Sequence, residues 1–303
     1  MRLFPALLAL TATSAAAAPP AVVTDIPVTG SLVAMVMGDL GVPHVLLPRG
    51  ADAHDYQMRP SDAAALQNAG LLIWIGPEMT PWLDRAATQV ARGESLTLLS
   101  VEGTHRQDFG TGGNHGDHDG PDHDSHDHEG TDPHAWLDPH NAQIWLGAIR
   151  DILSKTDPDN AAAYAANAQA AAAQIAGLDA HIKAQLTPVQ GLPFVVMHNA
   201  YGYFTGHFGL PAAVSLLPGD GAAPSAAQVA AIRGRISAEN VSCIFPEPSS
   251  NPQLIVAITE GTAIRAGAAL DPEGSALDQG AGLYLAMMSD LADSLANCLN
   301  EQQ

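Results

Sequence analysis

The sequence predicts an α/β protein of two (β/α) lobes with mainly parallel sheets, joined by one long rigid helix. Three observations lead there. From Ala21 onward, short apolar runs alternate with stretches of helical spacing. A second series with the same rhythm starts near Phe194. Between the two lies "DPDNAAAYAANAQAAAAQIAGLDAHIKAQL", residues 157–186, rich in strong helix formers and free of proline after Pro158. These set the expected boundaries: a first lobe over 19–156, a linking helix over 157–187 and a second lobe over 188–303.

In the first series the strand candidates are "AVVTDI", "HVLLP", "LLIWIG" and "LTLLS". Helical spacing falls on "GSLVAMVMGDLG", "SDAAALQNAG" and "MTPWLDRAATQVARG". "NAQIWLGAIRDILSKT" follows with apolar residues at 144, 145, 148, 149, 152 and 153, which share one helical face. Asp157 and Pro158 suit the N-cap and first turn of the long helix. At ~1.5 Å per residue that helix is roughly 40 Å long. It serves as a strut between lobes, or else as one more packing helix of a single unit. The second series has "FVVM", "AAVSLL", "VSCIF" and "GAALD" as strands. Its helices come from "SAAQVAAIRGRIS", "NPQLIVAITEGTAIRAG" and "GAGLYLAMMSDLADSLANCL".

Charge narrows the function. The chain carries 32 acidic residues against 12 Lys and Arg, a formal net charge of −20. Such a surface repels nucleic acid and anionic lipid and attracts cations, so nucleic-acid binding is excluded. The opening "MRLFPALLALTATSAAAAPP" places Arg2 before an apolar run from Leu3 to Leu10 and a string of alanines. That is the order of a secretory signal peptide, expected over residues 1–18 with cleavage between Ala15 and Ala18. A poorly ordered terminus is the alternative. The run is too short to span a bilayer, so a soluble, exported protein is expected. Export permits a disulfide between the two cysteines, Cys243 in an apolar strand and Cys298 near the end of the last helix. Such a bridge would close a loop of about 55 residues and contribute on the order of 4 kcal/mol. Two separate buried thiols are the other reading.

The histidines fall into groups. Residues 103–131 are built from Gly, Asp and His with no hydrophobic period, and are expected to be a disordered loop. Their six histidines, His105, His115, His118, His123, His126 and His128, interleave with carboxylates. They suit loose binding of zinc, copper or nickel, a plain acidic linker being the alternative. His134 stands where an ordered motif begins, "DPHAWLDPHNA", in which Asp138 or Asn141 can cap the next helix. His54 follows the strand "HVLLP" and His198 follows "FVVM". Ligands of parallel α/β sheets collect at the carboxyl ends of strands. His44, His140, His181 and His207 read as ordinary surface or capping residues.

"GADAHDYQMRPSD", "DPHAWLDPHNA", "MHNAYGYFTGHFGL", "CIFPEP" and "LDPEG", in this order, resemble the periplasmic zinc-binding proteins of bacterial high-affinity zinc ABC importers. The resemblance covers about Ala21 to Cys298. It implies a metal site in the cleft between the lobes, with His54, His134 and His198 as ligands. Asp271 of the late motif, or a water, would be the fourth. It also implies a disulfide at Cys243 and Cys298, and a His-rich insertion of the zinc branch. Some members of that branch have Glu before the first ligand histidine, where this chain has Ala53. Glu78 and Glu247 are candidates for orienting an imidazole.

The function so implied is a periplasmic receptor that captures Zn²⁺ and hands it to a zinc ABC permease, as a monomer and not as an enzyme. A His-rich loop would assist it, together with a periplasmic zinc chaperone. Three imidazoles and one oxygen suit tetrahedral zinc, whereas manganese prefers more oxygen ligands. A manganese receptor of the same fold is one alternative. An exported zinc hydrolase is the other, although the chain has no HExxH helix and no carboxylate placed by motif as a general base.

Overall fold

The computed structural model describes residues 19–89, 91–109, 130–216, 225–248 and 250–301. The expected signal peptide and His115, His118, His123, His126 and His128 lie outside the described residues.

The first sheet is formed by β1 (Val22–Thr24), β2 (His44–Val45), β3 (Leu71–Trp74) and β4 (Glu94–Thr97). All its pairs are parallel, in the order β2-β1-β3-β4. Every residue of β1 and β3 is buried, as expected of central strands covered by helices on both faces. The helices are α1 (Pro27–Met37), α2 (Pro60–Asn68), α3 (Pro81–Gln89) and α4 (Pro139–Thr156). Each starts on a proline, whose missing N–H costs nothing in a first turn. At α4 the Asp138 carboxylate also accepts from the His140 N–H at 2.9 Å, so the cap is Asp138. Asn141 instead clasps the backbone of His105.

The second sheet repeats the first. β5 (Phe194–Val196), β6 (Val214–Ser215), β7 (Cys243–Ile244) and β8 (Arg265–Ala266) pair in parallel in the order β6-β5-β7-β8. β8 lies two residues ahead of the expected "GAALD". The helix before it ends early, since α8 (Pro252–Thr259) gives way to Gly261 at φ 71°. Gly267 then leaves the sheet against the ring of Phe245. Between β5 and β6 lies a short helix not marked by periodicity, α6 (Gly202–Phe208), and α7 (Ala226–Ala238) precedes β7.

The long helix is α5 (Ala161–Leu186), 26 residues, preceded by a 3-10 turn over Pro158–Asn160. Asp157 makes no capping bond to that helix; its carboxylate accepts from Asn160 Nδ2 and Tyr164 Oη. Tyr164, Ala168, Ala171, Ile175, Ile182 and Leu186 form its buried stripe. The stripe packs on α4, α1 and the terminal helix α9 (Leu283–Asn300). The strut and the packing helix are therefore one element.

α9 also joins the lobes. Its Tyr284 N–H donates to Ser31 Oγ of α1, and the Tyr284 hydroxyl donates to the carbonyl of Trp136. At its other end Cys298 is disulfide-bonded to Cys243 of β7.

Candidate metal centre

Each candidate ligand sits on a loop pinned by its neighbours. Beyond β2, Leu46 and Leu47 are buried, and the Ala53 carbonyl accepts from Trp82 Nε1 at 2.7 Å. Tyr56 packs edge-on to Trp82 and donates to Asp62. His54 is fixed between these anchors, its own N–H on Asp52 Oδ1. Ala53 is fully buried, so the position directly before His54 is part of the core.

His134 leads a 3-10 turn, Ala135–Leu137, and is completely buried. Its Nδ1 lies 2.8 Å from Asp132 Oδ1. A carboxylate accepts there, so Nδ1 carries the proton and Nε2 keeps its lone pair. That Nε2 is buried and has no hydrogen-bond partner among the described residues. His198, two residues past β5, repeats the arrangement, with Nδ1 2.8 Å from both oxygens of Glu247. Glu247 is steadied by the Tyr201 hydroxyl at 2.9 Å, and its own N–H donates to Ser250 Oγ. Burial and the nearby carboxylate hold the Tyr201 hydroxyl protonated, far above its ordinary range, so it remains a donor.

The rings converge. The centroids of His54 and His134 are 5.5 Å apart, and so are those of His134 and His198. Ligand atoms of His54, His134 and Glu273 all lie within 4.8 Å of one another. Tetrahedral zinc bonds of about 2.0–2.1 Å set ligand atoms about 3.3 Å apart, so small side-chain rotations bring these atoms onto one ion.

Glu273 is a carboxylate that sequence reasoning did not single out and that the structure sets beside these histidines. Asp271, the expected fourth ligand, instead holds a turn: its carboxylate accepts from Ser275 N–H, Ser275 Oγ and Ala276 N–H. In "LDPEG" an Asp–Pro start with Gly274 at φ 68° makes a tight turn, with Asp facing its own backbone. The next carboxylate is then the one presented to the cleft. Trp136 Nε1 fixes the preceding carbonyl, of Pro272, at 2.7 Å. Burial pushes the Glu273 carboxyl up to about 8, against the pull of His198 and with repulsion from Asp52, Asp271 and Glu247. Three imidazoles ringed by carboxylates form a field that favours a divalent cation. Glu247 therefore orients an imidazole; Glu78 faces Arg106 instead, 3.9 Å away.

Two other histidines depart from expectation. His105 does not belong to a loose tract: its ring lies 3.0 Å from Asp138 Oδ2 and edge-on to Tyr203. His207 is neither a surface nor a capping residue. It bridges Asp138 at 3.0 Å and Asp179 at 2.7 Å, joining α6 to the start of α4 and to α5. The bond to Asp138 raises the His207 pKa, burial opposes it, and Asp179 adds to the rise. Burial also disfavours the Asp138 carboxylate. Bonds from His207, His105 and His140 N–H together with the His207 charge outweigh this and lower it to about 2. From the ordinary 3.8 this amounts to roughly 2 kcal/mol at about 1.4 kcal/mol per pH unit. The Asp138 contribution is present above pH 3.8 and lost as pH falls through about 2. The His207 contribution is complete below pH 6.5 and lost as pH rises through its elevated pKa. Thermal unfolding is therefore expected to show the largest gap between wild type and His207→Gln near pH 5 to 6, shrinking above neutrality. A gap independent of pH would contradict this.

Comparison with known proteins gives a consistent picture. Residues 22–298 match the family described as zinc-uptake complex component A, periplasmic. The chain is 52% identical to the high-affinity zinc uptake system protein ZnuA of Paracoccus denitrificans, over 97% of this chain and 96% of that one. It is 36% identical to the protein of the same name from Yersinia pestis, over 92% and 91%. In fold it is similar to a Mn-bound periplasmic metal binding protein from Candidatus Liberibacter asiaticus, with TM-score 0.75, 22% identity and coverage of 92% and 99%. It is likewise similar to Zn(II)-bound AdcA from Streptococcus pneumoniae, with TM-score 0.73, 21% identity and coverage of 93% of this chain and 58% of that one. Matched over nearly its whole length, the chain belongs to the family of periplasmic zinc-uptake component A proteins.

Proposed function

We propose that this chain is a periplasmic receptor that captures Zn²⁺ between its lobes and delivers it to the membrane permease of an ABC-type zinc importer. The convergence of His54, His134 and Glu273, with His198 beside them, carries the reading. His54 and His134 come from the first lobe, His198 and Glu273 from the second, so the ion binds the halves together. Nitrogen-rich tetrahedral ligation suits zinc better than manganese. The division into lobes over 19–156 and 188–303 with a strut over 157–187 fits this role, with α9 lying across both. The protein works as a receptor and not as a catalyst, and as a monomer. Its histidine tract offers weak sites that gather zinc, or take it from a chaperone, close to the cleft.

Zinc titration of the full chain and of a variant lacking residues 110–129, each in competition with Mn²⁺, tests the proposal. One tight zinc site per chain is expected in both, with zinc preferred and only shallow events lost with the tract. Manganese preference, or tight binding that disappears with the tract, would overturn it.

A further inference from the structure

The segments flanking residues 110–129 close into a neck directly beside the metal centre. Phe109 N–H donates to the Gly130 carbonyl at 3.1 Å and Asp132 N–H to the Gln107 carbonyl at 2.9 Å. Asp108 and Thr131 pair between them in an antiparallel bridge. The Gln107 side chain adds a third link, with Nε2 donating to Asp132 Oδ2 at 3.0 Å. The other oxygen of that carboxylate accepts from the backbone N–H of His134 at 3.0 Å and from its ring at 2.8 Å. The second lobe closes the circuit. The Tyr203 hydroxyl of α6 accepts from Gln107 N–H at 3.0 Å and donates to the Asp132 carbonyl at 3.1 Å. α6 comes this close because its first residue is Gly202: a Cβ there would stand 2.3 Å from Gln107 Nε2 and 3.3 Å from Asp132 Oδ2.

We propose that Asp132, gripped by Gln107 and Tyr203, is a positioning residue of the metal centre, so that the neck of the histidine-rich insertion sets the affinity of the tight site. The inference rests on His134 being a zinc ligand. With Asp132 and His134 both buried, a carboxylate on Nδ1–H leaves one tautomer and one ring orientation for Nε2. A carboxylate in that position also strengthens the imidazole as a donor. Gln107 holds one oxygen of the carboxylate and the His134 ring the other, while Tyr203 holds the Asp132 backbone carbonyl, so the carboxylate is kept from rotating away. The histidine tract therefore enters and leaves the fold through the residues that aim one ligand. A deletion reaching back to Gln107 is a different experiment from one confined to 110–129.

The test uses the full chain with Asp132→Ala, Asp132→Asn and Gln107→Ala. Zinc affinity is read by chelator competition, and coordination by the visible absorption of bound Co²⁺. Asp132→Ala is expected to weaken zinc binding about 10–100-fold and to alter the cobalt spectrum. Asp132→Asn, which keeps an acceptor for Nδ1–H, is expected to recover part of the loss. Gln107→Ala is expected to weaken binding about 3–10-fold, and it decides the matter if Asp132→Ala does not fold. Zinc affinities within about twofold of wild type for Gln107→Ala and any folded Asp132 variant, with an unchanged cobalt spectrum, would overturn this inference alone. Absence of a tight zinc site in the unaltered chain would overturn the receptor reading beneath it as well.

Discussion

Replacing His134 by alanine is expected to abolish tight zinc binding, lowering affinity by more than about 100-fold. The reasoning compares ligands with their supports: losing an outer partner of a metal-bound histidine costs about 10–100-fold, and losing the ligand itself costs more. His134 is also the central ring of the three, 5.5 Å from each of the others, so no neighbour reaches into its place. The fold should feel the change too. Asp132 would lose its ring partner while staying buried, at a cost of about 1–3 kcal/mol. Chelator-competition titration checks the first effect and calorimetry of the zinc-free protein the second. Companion variants separate the two carboxylates. Glu273→Gln is expected to weaken zinc binding, whereas Asp271→Asn acts on the turn and shows mainly as lower thermal stability. Tight binding that survives His134→Ala would remove the site from the cleft altogether.

The second large effect concerns stability. The disulfide closes 55 residues of sequence separation and ties the end of α9 to β7. Removing it with Cys243→Ser and Cys298→Ser is expected to cost about 4 kcal/mol in the chain-entropy account. For a chain of this size, at about 2.1 cal/mol/K of unfolding entropy per residue, that lowers the melting temperature by roughly 6 °C. Arg265 still holds the helix end through the Cys298 carbonyl and Glu301, both at 2.6 Å, so local attachment persists while global stability drops. Scanning calorimetry of the oxidised protein and of the double variant provides the measurement. A decrease of less than about 2 °C would show that loop closure contributes little here.

How far the sequence could be read depended on where each interaction lay along the chain. Central strands were legible because burial on both faces forces an uninterrupted apolar run, as in "LLIWIG". His54, His134 and His198 stood out as candidates because each lies in a motif placed next to a strand end or a helix start, and the structure brings their rings close together. The disulfide followed from export and from having only two cysteines. Glu273 was not found, because its role depends on which of two adjacent carboxylates a turn directs inward. His105 was grouped with its neighbours by composition, yet Asn141 and Asp138, more than 30 residues away, hold it in place. The same applies to His207, whose partners Asp138 and Asp179 lie on other elements. Asp132 left a signal that went unread, a carboxylate two residues before the histidine it holds. β8 was displaced because an apolar run does not reveal where a sheet edge ends and packing on Phe245 begins.

The placement of α9 has a mechanical consequence. Together with α5 it lays two beams across the same gap, and its far end is covalently riveted to the second sheet. A hinge needs a single flexible crossing; a doubly braced frame resists folding open. An ion held in the cleft as proposed would then be expected to leave with little change in the angle between the lobes, a displacement of the loops that carry His54 and Glu273 being the smaller movement.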